Sequence, residues 1–457
     1  MLNAISREKS FYRGVAALAW PVIAQNLLNN GLALLDSFMV GSLGERYLSA
    51  ISLANTVFTM TNLALFGLQS GSTVLIAQYH GKKDETSINR VMGLGFALSF
   101  TISMIIALVV FLFPMQLYSL TTNDMELAAI AADYGRIAAF SIVFNALSVI
   151  YLSAQRSMEN PRLGMKVLGV SMSLKTCFNA IFVLGVLGTP ILGIKGAALA
   201  TLLSRIIEFT ITFIYALRNK RFRLQFEALI KPGKDIFMDY LKYSLPVIIN
   251  ESLWGFGASM NTVIFGHLPN AMEALAAFSI VANIERIISA ILNGLSHTAG
   301  ILVGKALGAG RKDEAYQTGM TMLYLTGSIG VAAAVLMALL SPGVLLPYLF
   351  PLFGASASTL AIGMPFLLIG AASVPFRAIN FCGLVGLTRG GGDVRAGMLI
   401  DLSSLYGVGL PLSALAAFVF KAPAYVVFMT VNMDEMVKSF FVLWRLSKKK
   451  WLQNLTR

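Results

Sequence analysis

Residues 18–41 read LAWPVIAQNLLNNGLALLDSFMVG, and residues 243–266 read YSLPVIINESLWGFGASMNTVIFG, with Pro21 standing opposite Pro246. The repetition continues downstream. YLSAISLANT (47–56) has a counterpart in ALAAFSIVAN (274–283), GKKDE (81–85) in GRKDE (310–314), and QRSMENPRLGM (155–165) in TRGGGDVRAGM (388–398). A chain of 457 residues that says the same thing twice in the same order is built from two like halves.

The composition fixes the solvent of those halves. Apolar residues make up 56% of the chain and charged residues 12%, with a mean hydropathy of +0.73. Soluble domains carry about a quarter charged residues, so most of this surface faces lipid. About 20 apolar residues span the hydrocarbon core as a helix. That length predicts twelve spans: 14–40, 48–79, 91–119, 127–154, 163–187, 196–217, 239–266, 273–304, 315–349, 357–388, 396–420 and 423–444. The polar, basic start reads as a retained segment rather than a cleaved signal. Cys177 and Cys382 both fall inside apolar runs, which argues against a disulfide framework or a thiolate metal site.

Basic residues orient the spans. Of 35 Lys and Arg, 26 lie in or beside the N-terminus, the even-numbered connections and the C-terminus. The odd-numbered connections hold only Arg46, Lys195 and Lys421. Positive residues stay on the cytoplasmic side, so both termini are expected there, in a cell (inner) membrane. A nucleic-acid surface would not alternate loop by loop, so the net charge of +13 is topological. Six spans per half return the chain to its starting side, which makes the repeats parallel, related by an axis along the membrane normal. The expected fold is all-α: twelve transmembrane helices in two pseudo-symmetric six-helix lobes about a central cleft. Residues 1–217 form the N-lobe, 218–238 a basic solvated tether, and 239–457 the C-lobe with a basic tail.

Several segments carry a family resemblance: LAWPVIAQN with DSFMVGSLG in span 1, GIKGAALATLLSR entering span 6, GKALGAGRKDEA after span 8, LTRGGGDVRAGMLIDLSSLYGVGLPLSALAAF through span 11, and DEMVKSFFVLWRLSKKKWLQNLTR at the end. In order and spacing the chain resembles the multidrug and toxic compound extrusion (MATE) transporters over nearly its full length. The resemblance implies export of amphipathic, mostly cationic small molecules by alternating access, coupled to inward H⁺ or Na⁺. It implies no catalysis and no cofactor beyond the transported ion. A monomer in the bilayer is expected. A lipid-linked oligosaccharide flippase of the wider superfamily is the alternative reading. A membrane enzyme is disfavoured because no metal cluster, nucleophile elbow or phosphate loop is present in the sequence.

Ionisable residues inside spans are costly and commonly line a cavity. The resemblance makes Asp36 of span 1 a coupling-ion residue, with Asn179 on span 5 and Thr201 on span 6 as partners. The family places a further acid or amide four residues after the asparagine. Here that position is Val183, which shifts weight from Na⁺ toward H⁺. In the second half Glu251 follows Pro246, where one branch of the family uses a glutamate. That branch's span-10 aspartate is replaced by Ala378, with Arg377 beside it. Glu251 is therefore expected to face Arg377. Glu285 and Arg286 point about 100° apart on their helix and must find partners elsewhere. Arg205 with Glu208, and Asp434 with Lys438, have the spacing of pairs within one helix. Asn26, Asn29, Asn30, Gln69 and Asn283 are candidates to line the cleft. Arg389 and Asp393 read as parts of a structural turn.

Overall fold

The computed structural model describes residues 8–186, 188, 191–353 and 355–456. The polar residues 1–7 and the end of the fifth expected span, at Leu187, lie outside the described residues. Among the described residues the chain forms twelve long helical rods, two short helices (Pro114–Ser119 and Phe226–Ile230) and no strand. In the first half these are α1 (Lys9–Gly41), α2 (Glu45–Lys82), α3 (Glu85–Leu112), α4 (Met125–Ala138 continued by Ser141–Ser157), α5 (Pro161–Phe182) and α6 (Gly193–Arg218). In the second they are α7 (Lys234–Gly266), α8 (Ala271–Gly308), α9 (Lys312–Leu352), α10 (Ala357–Thr388), α11 (Val394–Val419) and α12 (Ala424–Ser447). Each rod overlaps one expected span. The halves match in length where the sequences match: α1 and α7 are both 33 residues long, α2 and α8 both 38.

Seven rods are long and apolar enough to cross a membrane, and the two pieces of α4, bent by 49°, together make an eighth. The other four, α1, α5, α7 and α12, are diluted by polar residues, among them Asp36, Lys175, Glu251 and Lys438. A polar load on a spanning helix is tolerated when it faces protein rather than lipid.

The GKKDE and GRKDE turns are built alike but out of step. After α2 the left-handed residue is Lys83 (φ 64°), with its N–H on His80 O (3.1 Å) and the Asp84 N–H on Tyr79 O (3.0 Å). After α8 it is Gly310 (φ 77°), bonding Leu307 O (2.9 Å) while the Arg311 N–H takes Ala306 O (2.9 Å). Both are helix-ending turns closed by a residue in the left-handed region. In the first copy Asp84 then caps α3 through the Ser87 N–H at 2.9 Å. In the second the reversal comes two residues earlier in the phrase, so Asp313 lies inside the first turn of α9.

The chain packs into two compact units, one holding Trp20–Ile248 and the other Ile249–Arg457 with the first turns of α1. The division cuts α7 just after Pro246 and α1 just before Pro21, where each proline removes a backbone hydrogen bond and loosens its helix. In the first unit α2 uses GLQSG (67–71) to receive the start of α7. A Cβ on Gly67 would strike Ile248, and one on Gly71 would strike Ser244. Two small residues four apart let helix backbones approach within lipid. Tyr240 fixes the register, its hydroxyl 2.9 Å from Leu68 O and 3.0 Å from Ser72 Oγ.

The basic linker keeps its Lys and Arg side chains exposed while parts of its backbone are held against α3. Gln225 N–H donates to Asn89 Oδ1 (3.1 Å), Asn89 Nδ2 donates to Arg223 O (3.3 Å), and Leu229 lies against Gly93 of α3. The short helix Phe226–Ile230 inside it leaves too few free residues for a loose tether. In the second unit α8 and α9 pack on α10, which packs on α12. Its core is aromatic: Phe366 stacks on Phe428 at 4.7 Å between ring centres, and Phe265 stacks on Phe278 at 4.9 Å. Rods α9, α10 and α11 contain wide, π-type turns at Ser341–Leu349, Phe381–Thr388, Leu405–Gly409 and Leu415–Val419. Such turns re-aim every side chain beyond them.

Candidate functional site

Asp36 sits on the wall of a cavity of about 420 Å³ inside the first unit. Four other helices complete the wall, each through its own periodicity. Asn55, Phe58 and Asn62 recur at three and four residues along one face of α2. Lys175 and Asn179 are one turn apart on α5, and Thr201 and Arg205 one turn apart on α6. On α4 the 49° break at Ala139–Phe140 allows Tyr134, before it, and Ser141 and Asn145, after it, to face the same space.

The three residues that the resemblance implies are together. Asn179 Nδ2 donates to Asp36 Oδ1 at 2.9 Å, and Thr201 Oγ1 lies 3.5 Å from the Tyr134 hydroxyl. A further partner of Asp36 was not expected: the Lys175 ammonium is ion-paired to Asp36 Oδ2. Lys175 was legible as an intramembrane cation, and its position one turn before Asn179 was the signal that it shares Asp36's side of α5. Val183 is buried in the apolar cluster with Val40, Ile51 and Ala197 and does not line the cavity. Arg205 is closed onto Glu208 within α6 at 2.6 Å, as the spacing predicts, and Ser171 Oγ donates to the same Glu208 oxygen at 3.0 Å. The amides on this wall are Asn55, Asn62 and Asn145; Asn26, Asn29, Asn30, Gln69 and Asn283, expected at the central cleft, are not among its lining residues.

The second unit carries a buried ionic network in which the expected partners are exchanged. Glu251 meets Arg389, not Arg377, at 2.7 Å. Arg377 instead binds Glu285 at 2.6 Å and Asn432 at 3.2 Å. The two arginines stand twelve positions apart on either side of the wide turns at Phe381–Thr388, and the one that meets Glu251 on α7 is Arg389. Arg389 is thus no mere turn residue, whereas Asp393 holds the turn to α12 through Arg445 at 2.7 and 3.0 Å. Arg286 is exposed, a turn position away from the paired Glu285.

Lys438 also reaches beyond its own helix. Its closest partner is Asp401 on α11 at 2.9 Å, with Asp434 at 3.4 Å and Glu435 at 3.6 Å on α12 itself. Asn250 Nδ2 donates to Asp401 at 2.9 Å, and Asn380 Nδ2 to Glu435 at 2.6 Å. Asp401 and Glu435 escaped the sequence reading, although an acid in each of two spanning helices was signal enough. The network sets Glu251, Glu285, Asp401, Asp434 and Glu435 against only Arg377, Arg389 and Lys438. Among these side chains the carboxylates outnumber the cations, five to three. Among the described residues no group of three His, Cys, Asp or Glu is arranged to hold a metal ion.

Comparison with known proteins gives this arrangement its context. A family model described as MatE matches residues 21–181 and 246–415, once in each half. The chain is 24% identical over 412 residues to the "Probable multidrug resistance protein YoeA" of Bacillus subtilis (strain 168), covering 89% of this chain and 87% of that protein. It is 27% identical over 419 residues to the "Multidrug and toxin extrusion protein 1" of Homo sapiens, covering 91% of this chain and 70% of that one. A solved structure of a mutant of the Vibrio cholerae MATE transporter VcmN superposes with a TM-score of 0.87 over 98% of both chains at 18% identity, which establishes likeness of fold. With both halves matched by the family model and twelve helices in two six-helix lobes beneath them, the chain belongs to the MatE family of multidrug and toxic compound extrusion transporters.

Proposed function

We propose that this protein is a cation-coupled antiporter that exports amphipathic, mostly cationic compounds by alternating access, with both termini in the cytoplasm. The observation that carries the reading is the Asp36 cavity. One carboxylate is held by an amide and an ammonium at the wall of a space that also offers Phe58, Tyr134, Asn55, Asn62 and Asn145. Apolar and aromatic surface with a few convergent polar groups suits a small amphipathic ligand. The carboxylate surplus around Lys438 supports cation uptake in the other lobe. Loading and release at these acids would bias the two access states, since a ligand shifts such an equilibrium only through its unequal affinity for them.

Support from the relatives runs the same way: those named above are called multidrug resistance or multidrug and toxin extrusion proteins. Neither name supports the oligosaccharide flippase. The test is efflux of a cationic dye from inverted membrane vesicles, energised in turn by a pH gradient and by a Na⁺ gradient. Uphill dye movement under either gradient is expected. Its absence under both, in vesicles shown to contain folded protein, overturns the reading.

A further inference from the structure

We propose that Lys175 is a tethered cation occupying the place at Asp36 that a coupling metal cation would need, so that the first lobe answers to protons and excludes Na⁺. This rests on the antiporter reading and names its coupling ion.

The argument starts from the charges around Asp36. Its two oxygens are already engaged, Oδ2 by the Lys175 ammonium and Oδ1 by Asn179 Nδ2. The other titratable groups of the cavity come from α4 and α6. They are the Tyr134 phenol, held by Thr201, and Arg205, neutralised by the buried Glu208 behind the wall. The polar groups that α2 contributes, Ser52, Asn55 and Asn62, are neutral. Asp36 and Lys175 therefore cancel each other, and Glu208 and Arg205 cancel each other. No uncompensated negative charge remains for an incoming Na⁺.

A metal ion would have to displace the ammonium or share one carboxylate with it at close range, where like charges repel strongly in a poorly screened cavity. The ammonium is fixed to the backbone one turn from Asn179 and cannot diffuse away. A proton differs from Na⁺ because it needs no cage of ligands. It adds to Asp36 Oδ2, turns the carboxylate into a neutral acid and ends its attraction for the ammonium. Lys175 keeps its own proton, and the one bound by Asp36 leaves later to the other side.

One more atom points to a cation. Asn179 is buried to 1% exposure, yet its Oδ1 has no hydrogen-bond partner. With the ammonium removed, that oxygen, the Asp36 carboxylate and Thr201 Oγ1 are the hard ligands a Na⁺ would use. Lys175 would thus be the residue that decides between the two ions, acting in place of the ligand that Val183 does not supply.

Two measurements test this. In the first, the purified protein is melted in NaCl and in choline chloride at equal ionic strength. The parent should melt alike in both. Lys175→Gln and Lys175→Ala should each gain about 2–4 °C in about 100 mM Na⁺, Lys175→Arg should gain nothing, and Asp36→Asn added to Lys175→Gln should abolish the gain. In the second, proteoliposomes loaded with cationic dye are energised by ΔpH or by ΔNa⁺. ΔpH alone should drive the parent. Lys175→Gln should lose at least about tenfold of that rate, because the neighbouring charge that favours release of the proton from Asp36 is gone, and should acquire Na⁺-driven efflux. A parent that melts higher in Na⁺ or runs on ΔNa⁺ overturns the proposal. So do neutral Lys175 variants that remain blind to Na⁺ and keep the parent pH profile. If the parent exports under neither gradient, the antiporter reading falls, while the melting experiment still decides whether Lys175 excludes Na⁺.

Discussion

Replacing Arg377 with methionine removes the cation while keeping much of the side-chain volume, and the structure says what it leaves behind. The guanidinium is 18% exposed and binds Glu285 Oε2 at 2.6 Å, with a second bond to Asn432 Oδ1 at 3.2 Å. Glu285 is 11% exposed, and its other oxygen already lacks a partner. Arg377→Met thus strands a carboxylate with no remaining bond in the described structure. Removing one partner of a buried ion pair costs about 3–5 kcal/mol, most of it the penalty of the charge left behind. For a lobe of this size the lower figure corresponds to a fall in melting temperature of about 6–12 °C. Glu285→Gln in the same chain removes the stranded charge, so the double variant should recover more than half of that loss.

The assay is a double-mutant cycle on purified protein, read by thermal melting in detergent. The expected coupling between positions 285 and 377 is about 2 kcal/mol or more, against about 0.5 kcal/mol or less for pairs that do not touch. A parallel cycle with Glu251→Gln serves as the contrast, because Glu251 is held by Arg389. Arg377→Met and Glu251→Gln should simply add. The reasoning is refuted if positions 285 and 377 are additive, or if 377 couples to 251 as strongly as to 285.

Other expectations concern transport, packing and topology. Asp36→Asn should insert but melt lower, because it strands the Lys175 ammonium, and should lose uphill dye efflux; retention of the full rate would make Asp36 a structural residue. Gly71→Leu forces a side chain into Ser244 of α7 and should lower the melting temperature by several degrees, overpacking costing about 1–3 kcal/mol, whereas Gly31→Ala, with open space at its Cβ, should not. In a chain lacking Cys177 and Cys382, an impermeant thiol reagent on intact cells should label a cysteine at position 270 and spare one at position 3; the reverse would invert the topology. Asp124 caps α4 through the Leu127 and Glu126 N–H groups, and those bonds, with Arg46 nearby, hold its carboxyl below the usual carboxylate range. A depressed acid lends its stability above the ordinary carboxylate pKa and loses it as pH falls through the folded value. Amide exchange at Glu126 and Leu127 should therefore quicken selectively in acid.

Much of this protein was written along the chain. Twelve apolar stretches of spanning length, the duplicated Pro21 and Pro246 segments and the loop-by-loop alternation of Lys and Arg specify twelve helices in two like halves. These signals are local or periodic, and lipid allows a hydrophobic run of that length few alternatives to a helix. Asp36 was legible for a related reason, since a carboxylate in a spanning helix is costly enough to announce itself, whereas Asn179 and Thr201 were reached through the family resemblance. Spacing also put Lys175 on the same face as Asn179.

Partner choice was not written there. Glu251 and Arg377 looked like neighbours because each is an ionisable residue well inside its helix, α7 or α10, yet the packing of the helices decides which residues meet. The wide turns at Phe381–Thr388 between Arg377 and Arg389 have the sequence FCGLVGLT, with no proline to mark them. The same holds for Lys438, which the i,i+4 rule assigned to Asp434 and which packing carries to Asp401 on another helix. Side-chain period tells which face of a helix is polar. Only the packed bundle, where glycines such as Gly67 and Gly71 set how closely helices approach and bends such as that in α4 set what they face, decides which charges share a site.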